Sequence, residues 1–191
     1  MRVQDNFSFS KEEEELLFKI ARKSIQSMLH DKHKLKIDQN EIPARLRIPM
    51  GVFVSIKRDG KLRGCIGRFI SRLPLYKTVR DSAYSSAFED PRFDPLSNDE
   101  FDKVELEITV IGPLKKINNI SEIVLGKHGV FIKKDSHSGT MLPQVATENG
   151  WTIEEFLGFT SREKAKLGWE GWKEAEIFIY EGLVLEEKKI Q

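Results

Sequence analysis

Apolar residues recur along this chain with two different periods, and the switches between them mark out its elements. From Ser10 to about Leu29, the residues Leu16, Leu17, Ile20, Ala21, Ile25, Met28 and Leu29 fall on one face at helical spacing. Ser10 with Glu13 three residues on makes a capping box, and Glu12 to Glu15 suit the positive end of the helix dipole. The charged run His30 to Lys36 ends this helix, and Pro43 and Pro49 keep the next segment extended. The period then changes to two. Val52, Val54 and Ile56 alternate with Phe53, Ser55 and Lys57, and Asp59-Gly60 is a type I′ turn dipeptide, so a β-hairpin is predicted. With a two-residue loop, Arg58 faces Lys61, Ile56 opposes Arg63, Val54 opposes Cys65 and Phe53 opposes Ile66. That register puts Arg63 and Cys65 on the face of the three β-branched residues.

Pro74 suits the first turn of a second helix, about Leu75 to Phe88, whose Ser82, Ala83, Ser86 and Ala87 form a narrow surface for close packing. Pro91 and Pro95 end it in a loop. Val104 to Ile111 reads as a strand with Val104, Leu106, Ile108 and Val110 inward. A short helix is expected at Ser121 to Leu125, and a second hairpin from Gly129 to Leu142 around Asp135-Ser-His-Ser-Gly139. Thr152 with Glu155 opens a helix to about Leu167, stopped by Gly168. Ala175 to Leu185 is apolar on both faces and reads as a central strand. Helices interspersed with hairpins, without a βαβ rhythm, predict an α+β fold with mostly antiparallel pairing.

Composition narrows the class. A length of 191 residues fits one large domain or two small lobes, and 31 Lys+Arg against 30 Asp+Glu removes an overall electrostatic drive toward nucleic acid. One cysteine builds no internal disulfide framework, which points to a reducing compartment. The N-terminus lacks the apolar stretch of a signal peptide and no run approaches membrane-spanning length, so a cytoplasmic protein without membrane contact is expected.

The chemistry concentrates at Leu62-Arg63-Gly64-Cys65-Ile66-Gly67. Two glycines inside a strand need a reason such as a bulge or the close approach of a ligand or another backbone, which gives Gly64 and Gly67 their interest. An arginine on an apolar face needs a carboxylate or carbonyls, and since breaking a buried pair costs about 3–5 kcal/mol a carboxylate is expected nearby; Glu89, Asp90, Glu105 and Glu107 are the candidates. Beside such an arginine, Cys65 could carry a lowered pKa, although a lone cysteine among apolar neighbours is more often a small buried hydrophobe. His128 is a possible base for Cys65 or a ligand. Gln144, in the loop expected after Leu142-Pro143, could read a ligand through its amide or merely tie the loop down. Trp151, Trp169 and Trp172 bracket the last helix as partial core or as a partner surface. Metal patterns, a GxSxG elbow, a Walker A loop and a GxGxxG after a strand are all missing, so the sequence names no metal and no cofactor. The basic stretch Lys32 to Arg47 lacks interleaved aromatics, which makes nucleic acid a minority reading.

The hexapeptide Leu62–Gly67, then Ala87-Phe88-Glu89-Asp90-Pro91-Arg92-Phe93, Leu106-Glu107-Ile108, Gly126-Lys127-His128-Gly129 and Leu142-Pro143-Gln144-Val145 occur in the order of one family. Over nearly its whole length the chain resembles the AMMECR domain family, of which the hexapeptide is the hallmark. The resemblance implies a single α+β domain of two lobes, antiparallel sheet flanked by helices, with the hexapeptide lining an interior cleft. It implies no established activity. It also implies an association with Memo-like proteins and radical S-adenosylmethionine enzymes, beside which prokaryotic relatives are often encoded. Asp94 stands where the family commonly has a second proline, and Ser161 where many members carry a cysteine, which leaves Cys65 as the only thiol.

Two functions compete on these grounds. In one, a cleft binds a small anionic ligand or does thiol chemistry: Arg63 orients the anion, Gly64 and Gly67 admit it, Cys65 is nucleophile or redox group, and His128 is its base. Glu89, Asp90 or Glu107 then supplies the carboxylate. In the other, the chain is a non-catalytic module that docks onto Memo-like or radical enzymes through the Trp151–Trp172 region. Nucleic-acid regulation is a weaker third.

Overall fold

A computed structural model describes residues 7–187. The chain divides into two compact units, one of Met1–Val110 with Leu183–Gln191 and the other of Ile111–Gly182. All strand pairings within them are antiparallel among the described residues, and together with the helices they make the α+β class that the periodicities predict.

In the first unit, helix α1 (Lys11–Asp31) starts on the expected capping box, with the Ser10 N–H donating to Glu13 Oε2 at 2.9 Å. It buries Leu17, Ile20, Ala21, Ile25 and Leu29, five of the seven residues on its predicted apolar face. Strand β1 (Val52–Arg58) lies between β2 (Lys61–Arg68) and β3 (Val104–Ile111). Val52, Val54 and Ile56 of β1 join Val104, Leu106, Ile108 and Val110 of β3 in one core with α1 and helix α2 (Leu75–Phe88). Full burial of each such aliphatic side chain stabilises the unit by roughly 1.5–3 kcal/mol. Pro74 stands just outside α2 as its cap, one position earlier than expected, and the small-residue surface of α2 is buried against the hairpin. Arg22 ties Glu187 to this unit. Its Nε and Nη2 reach Glu187 at 2.8 and 2.7 Å, and its other bonds go to the carbonyls of Phe101 and Val104.

In the second unit, β7 (Glu176–Glu186, which continues into the first) has β4 (Lys115–Ile117) and β5 (His128–Lys134) as neighbours, and β6 (His137–Met141) pairs with β5. The expectation that the last strand is central therefore holds. Three local expectations do not. The helix at Ser121 to Leu125 is a single 3-10 turn, Ile120–Glu122. The Leu142-Pro143-Gln144 loop is the start of helix α4 (Pro143–Glu148), because proline is preorganised for a first helical turn, where its missing N–H costs nothing. The last helix, α5 (Ile153–Phe159), opens on its Thr152–Glu155 capping box but passes into a π-turn over Thr160–Lys164 instead of running to Leu167. The widened turn tucks Ala165 against β6, where a Cβ at Gly139 would lie 2.3 Å from the Ala165 nitrogen. No helix among the described residues is long and apolar enough to cross a membrane.

Candidate functional site

Asp59 and Gly60, at φ 52° and 72°, make the expected two-residue turn, and Arg58 faces Lys61. Beyond that point the register departs from expectation. Lys57 opposes Leu62 but Ile56 opposes Gly64, so Arg63 is the extra residue of a β-bulge. Ile56, Val54 and Phe53 therefore face Gly64, Ile66 and Gly67 instead of Arg63, Cys65 and Ile66. Because side chains alternate with period two, the inserted residue moves Cys65 off the face of Val52, Val54 and Ile56 and sets it opposite Ser55.

Two physical causes favour the bulge. Without it Arg63 would point into the hydrocarbon core, where an unpaired guanidinium is strongly disfavoured. With it, Gly64 meets α2, and a Cβ there would lie 2.2 Å from the Ser86 carbonyl oxygen. Only glycine permits that approach. The Ser86 hydroxyl then enters the ladder itself, accepting from the Ile66 N–H at 2.8 Å and donating to the Val54 carbonyl at 2.7 Å.

Cys65 is half-buried and its backbone is clamped on both sides. Its N–H donates to Asp90 Oδ2 at 2.8 Å, and its carbonyl accepts from Arg92 Nη2 at 3.0 Å. Arg92 in turn forks onto both Asp90 oxygens, at 2.9 and 2.7 Å. These bonds from Arg92, with the Cys65 N–H, outweigh burial and hold the Asp90 carboxyl well below the usual carboxylate range. Since both backbone groups of Cys65 point outward, Cys65 and Ser55 form the closely spaced, non-hydrogen-bonded kind of pair. The Ser55 hydroxyl donates to Cys65 Sγ at 3.3 Å. On the other side of β1, Ser55 opposes Glu107, which accepts the Lys57 ammonium and raises its pKa. Cys65, Ser55 and Glu107 thus make one row across β2, β1 and β3, on the face turned away from the core.

Arg63 finds a carboxylate, but none of the four expected. Its Nε and Nη2 each reach Glu100 at 3.0 Å, on the short helix α3 (Asn98–Phe101). The Arg63 fork, assisted by the Ser97 N–H, lowers the Glu100 carboxyl to about 2 against the effect of burial. Of the expected partners, Asp90 serves Arg92 and Cys65, Glu107 serves Lys57, and Glu89 accepts from the Ser85 hydroxyl at the end of α2. Beside the bulge lies a concavity of about 570 Å³ lined by Arg63, Pro91, Arg92, Phe93, Asp94, Pro95 and Glu100. Both guanidiniums approach the Phe93 ring, at 5.8 and 5.5 Å from its centroid.

The remaining candidates belong to the second unit. The His128 ring accepts the Val124 N–H at Nδ1 (3.1 Å), and burial pushes its pKa down. That bond closes the Gly126-Lys127-His128 turn. Gln144 is exposed on the first turn of α4. Ser161 is buried and donates to the Gly168 carbonyl at 2.6 Å. No group of three or more His, Cys, Asp or Glu among the described residues is placed to hold a metal ion. Sequence reasoning missed Ser55, Arg92 and Glu100. Glu100 carried a readable signal, since Ser97 and Glu100 have capping-box spacing and form that box.

Known proteins support the same architecture. The AMMECR1 family model matches residues 18–185. Protein NEQ441 of Nanoarchaeum equitans is 41% identical over 180 residues, covering 90% of this chain and 98% of that protein. A protein of Methanosarcina barkeri is 39% identical over 180 residues, covering 90% of this chain and 88% of its own. The crystal structure of PH0010 from Pyrococcus horikoshii superposes with a TM-score of 0.82 at 32% identity, covering 95% of each chain. With the family model spanning most of its length and relatives matched nearly end to end, this chain belongs to the AMMECR1 family.

Proposed function

We propose that the outer face of β2, β1 and β3 is a small-ligand site at which Cys65 does thiol chemistry, with an anionic group of the ligand held by Arg92. The observation that carries this reading is the turned-out thiol: the bulge removes Cys65 from the core, Ser55 hydrogen-bonds its sulfur, and Asp90 with Arg92 fixes its backbone. A side chain kept only as a small hydrophobe gains nothing from that face. Arg92 is exposed beside the thiol and lines the concavity, so it is the cation an incoming anion meets. Arg63, forked onto Glu100, is assigned to holding the bulge rather than to the ligand.

Two alkylating reagents of similar size and opposite character test this. Native protein is treated at neutral pH with iodoacetate or with neutral iodoacetamide, each forming an S–C bond at Cys65 with loss of iodide. Relative to free cysteine, Cys65 should favour the anionic reagent by about threefold or more, and Arg92→Gln should remove that preference. A native thiol that neither reagent alkylates, or a ratio equal to that of free cysteine, contradicts the proposal.

A further inference from the structure

Between Glu41 and Asp81 the sequence holds ten Lys and Arg residues and one acid, Asp59. Lys57, Arg58, Arg63 and Arg80 from this stretch meet carboxylates. Arg45, Arg47, Arg68 and Arg72 meet none among the described residues: Arg45 lies over the Phe9 ring and Arg47 donates to the Ile42 carbonyl. These four sit on two segments that the fold ties together. Pro49 bridges Pro74, the Leu75 N–H donates to the Ile48 carbonyl at 3.0 Å, and a Cβ at Gly51 would lie 1.9 Å from the Phe69 carbonyl oxygen. The same segments carry three aliphatic side chains in water: Ile48 is 49%, Ile70 62% and Leu73 39% exposed. In a chain whose formal net charge is only +1, this is a local excess of cations interleaved with uncovered hydrocarbon.

We infer that residues 45–48 and 68–73 form a docking surface for an acidic, partly apolar polypeptide segment of a partner protein. Charge complementarity sets the sign, and the residue type refines it. All four cations on these two segments are arginines, whose planar forks pair with carboxylates two bonds at a time. The aliphatic residues between them require a partner whose acids alternate with apolar side chains, because covering Ile70 with a uniformly charged surface would waste its burial. A nucleic acid is disfavoured because Phe69, the one aromatic within residues 45–48 and 68–73, is half-buried, and a lipid surface because these segments carry no Trp or Tyr anchor. The inference is independent of the chemistry proposed for Cys65.

The test is fluorescence anisotropy with the full chain and a labelled peptide that repeats Glu-Leu-Asp-Ile three times. Three comparison probes are a peptide with Ser in place of Leu and Ile, a labelled DNA duplex, and vesicles of phosphatidylserine with phosphatidylcholine. The acidic-apolar peptide should bind best. Arg68→Glu with Arg72→Glu should weaken it by about tenfold or more, and Ile70→Ser alone by about threefold, with unfolding midpoints unchanged. Absence of peptide binding, equal binding of the Ser-substituted peptide, tighter binding of duplex or vesicles, or loss of the peptide site through dimerisation of the chain would each overturn the inference.

Discussion

The two hairpins of this protein have similar lengths and similar two-residue turns, yet they are put to different uses. In the second, β5 and β6 keep one register from Lys134–His137 to Val130–Met141, and Gly139 on its edge strand is covered by the π-turn. In the first, β1 and β2 change register at Arg63, and the edge strand is covered by single charged side chains, Asp90 and Arg92. A regular ladder sealed by backbone can only pack. An interrupted ladder, sealed by side chains, can turn a chosen residue outward while its core face stays filled. The bulge, more than the cysteine, makes the first hairpin a candidate site.

The largest effects should come from the two glycines that admit a covering element. Gly64→Ala puts a Cβ 2.2 Å from the Ser86 oxygen, and Gly139→Ala one 2.3 Å from the Ala165 nitrogen. Each should destabilise its unit by about 2–3 kcal/mol in chemical denaturation, because backbone cannot give way as a flexible side chain can. If Gly64→Ala costs under about 0.5 kcal/mol, α2 is not seated on the bulge and the contrast between the hairpins fails.

Next in size is the acid limb of the first hairpin. Glu100 falls from 4.5 to about 2 on folding, and Asp90 also lies below its ordinary value. For carboxyls whose folded pKa is depressed, the stabilisation is present above the unfolded pKa and is lost as pH falls through the folded one. Stability should therefore drop between about pH 4.5 and 2. Glu100→Gln should cost about 1–2 kcal/mol at neutral pH, discounted for partial exposure, and should flatten that drop. An unchanged acid limb in Glu100→Gln would separate the bulge from its ion pair.

The smallest effect belongs to the second unit. Burial lowers the His128 pKa from 6.5, so the unfolded chain binds the extra proton first and stability declines as pH falls below about 6.5. His128→Asn should remove this shallow slope in thermal unfolding followed between neutral and mildly acidic pH. If the slope survives, the Nδ1 bond to the Val124 N–H is not what couples this turn to protons.

Much of the fold was legible because periodicity reports burial directly. The helical face from Leu17 to Leu29, the capping boxes at Ser10 and Thr152, and the alternation along β1 and β3 all appear where their spacing places them. The bulge was not legible. Alternation and a turn dipeptide fix the first pairs of a hairpin, but the cost of burying Arg63 and the room needed by Ser86, far along the chain, decide where the count slips. Glu100 was overlooked for a related reason: a carboxylate distant in sequence reached Arg63 from a helix of one turn. The π-turn after Phe159 depends on Gly139, which no local pattern near Thr160 encodes.

Register is the claim on which the rest depends, and a second cysteine reads it directly. In the bulged hairpin Ser55 and Cys65 are a closely spaced pair, with Oγ and Sγ 3.3 Å apart, so Ser55→Cys should close an intramolecular disulfide with Cys65 under mild oxidation. Val54→Cys, which would face Cys65 in an unbulged hairpin, should stay reduced with its side chain on the opposite face. A disulfide formed by Val54→Cys and not by Ser55→Cys would return Cys65 to the core and contradict the account.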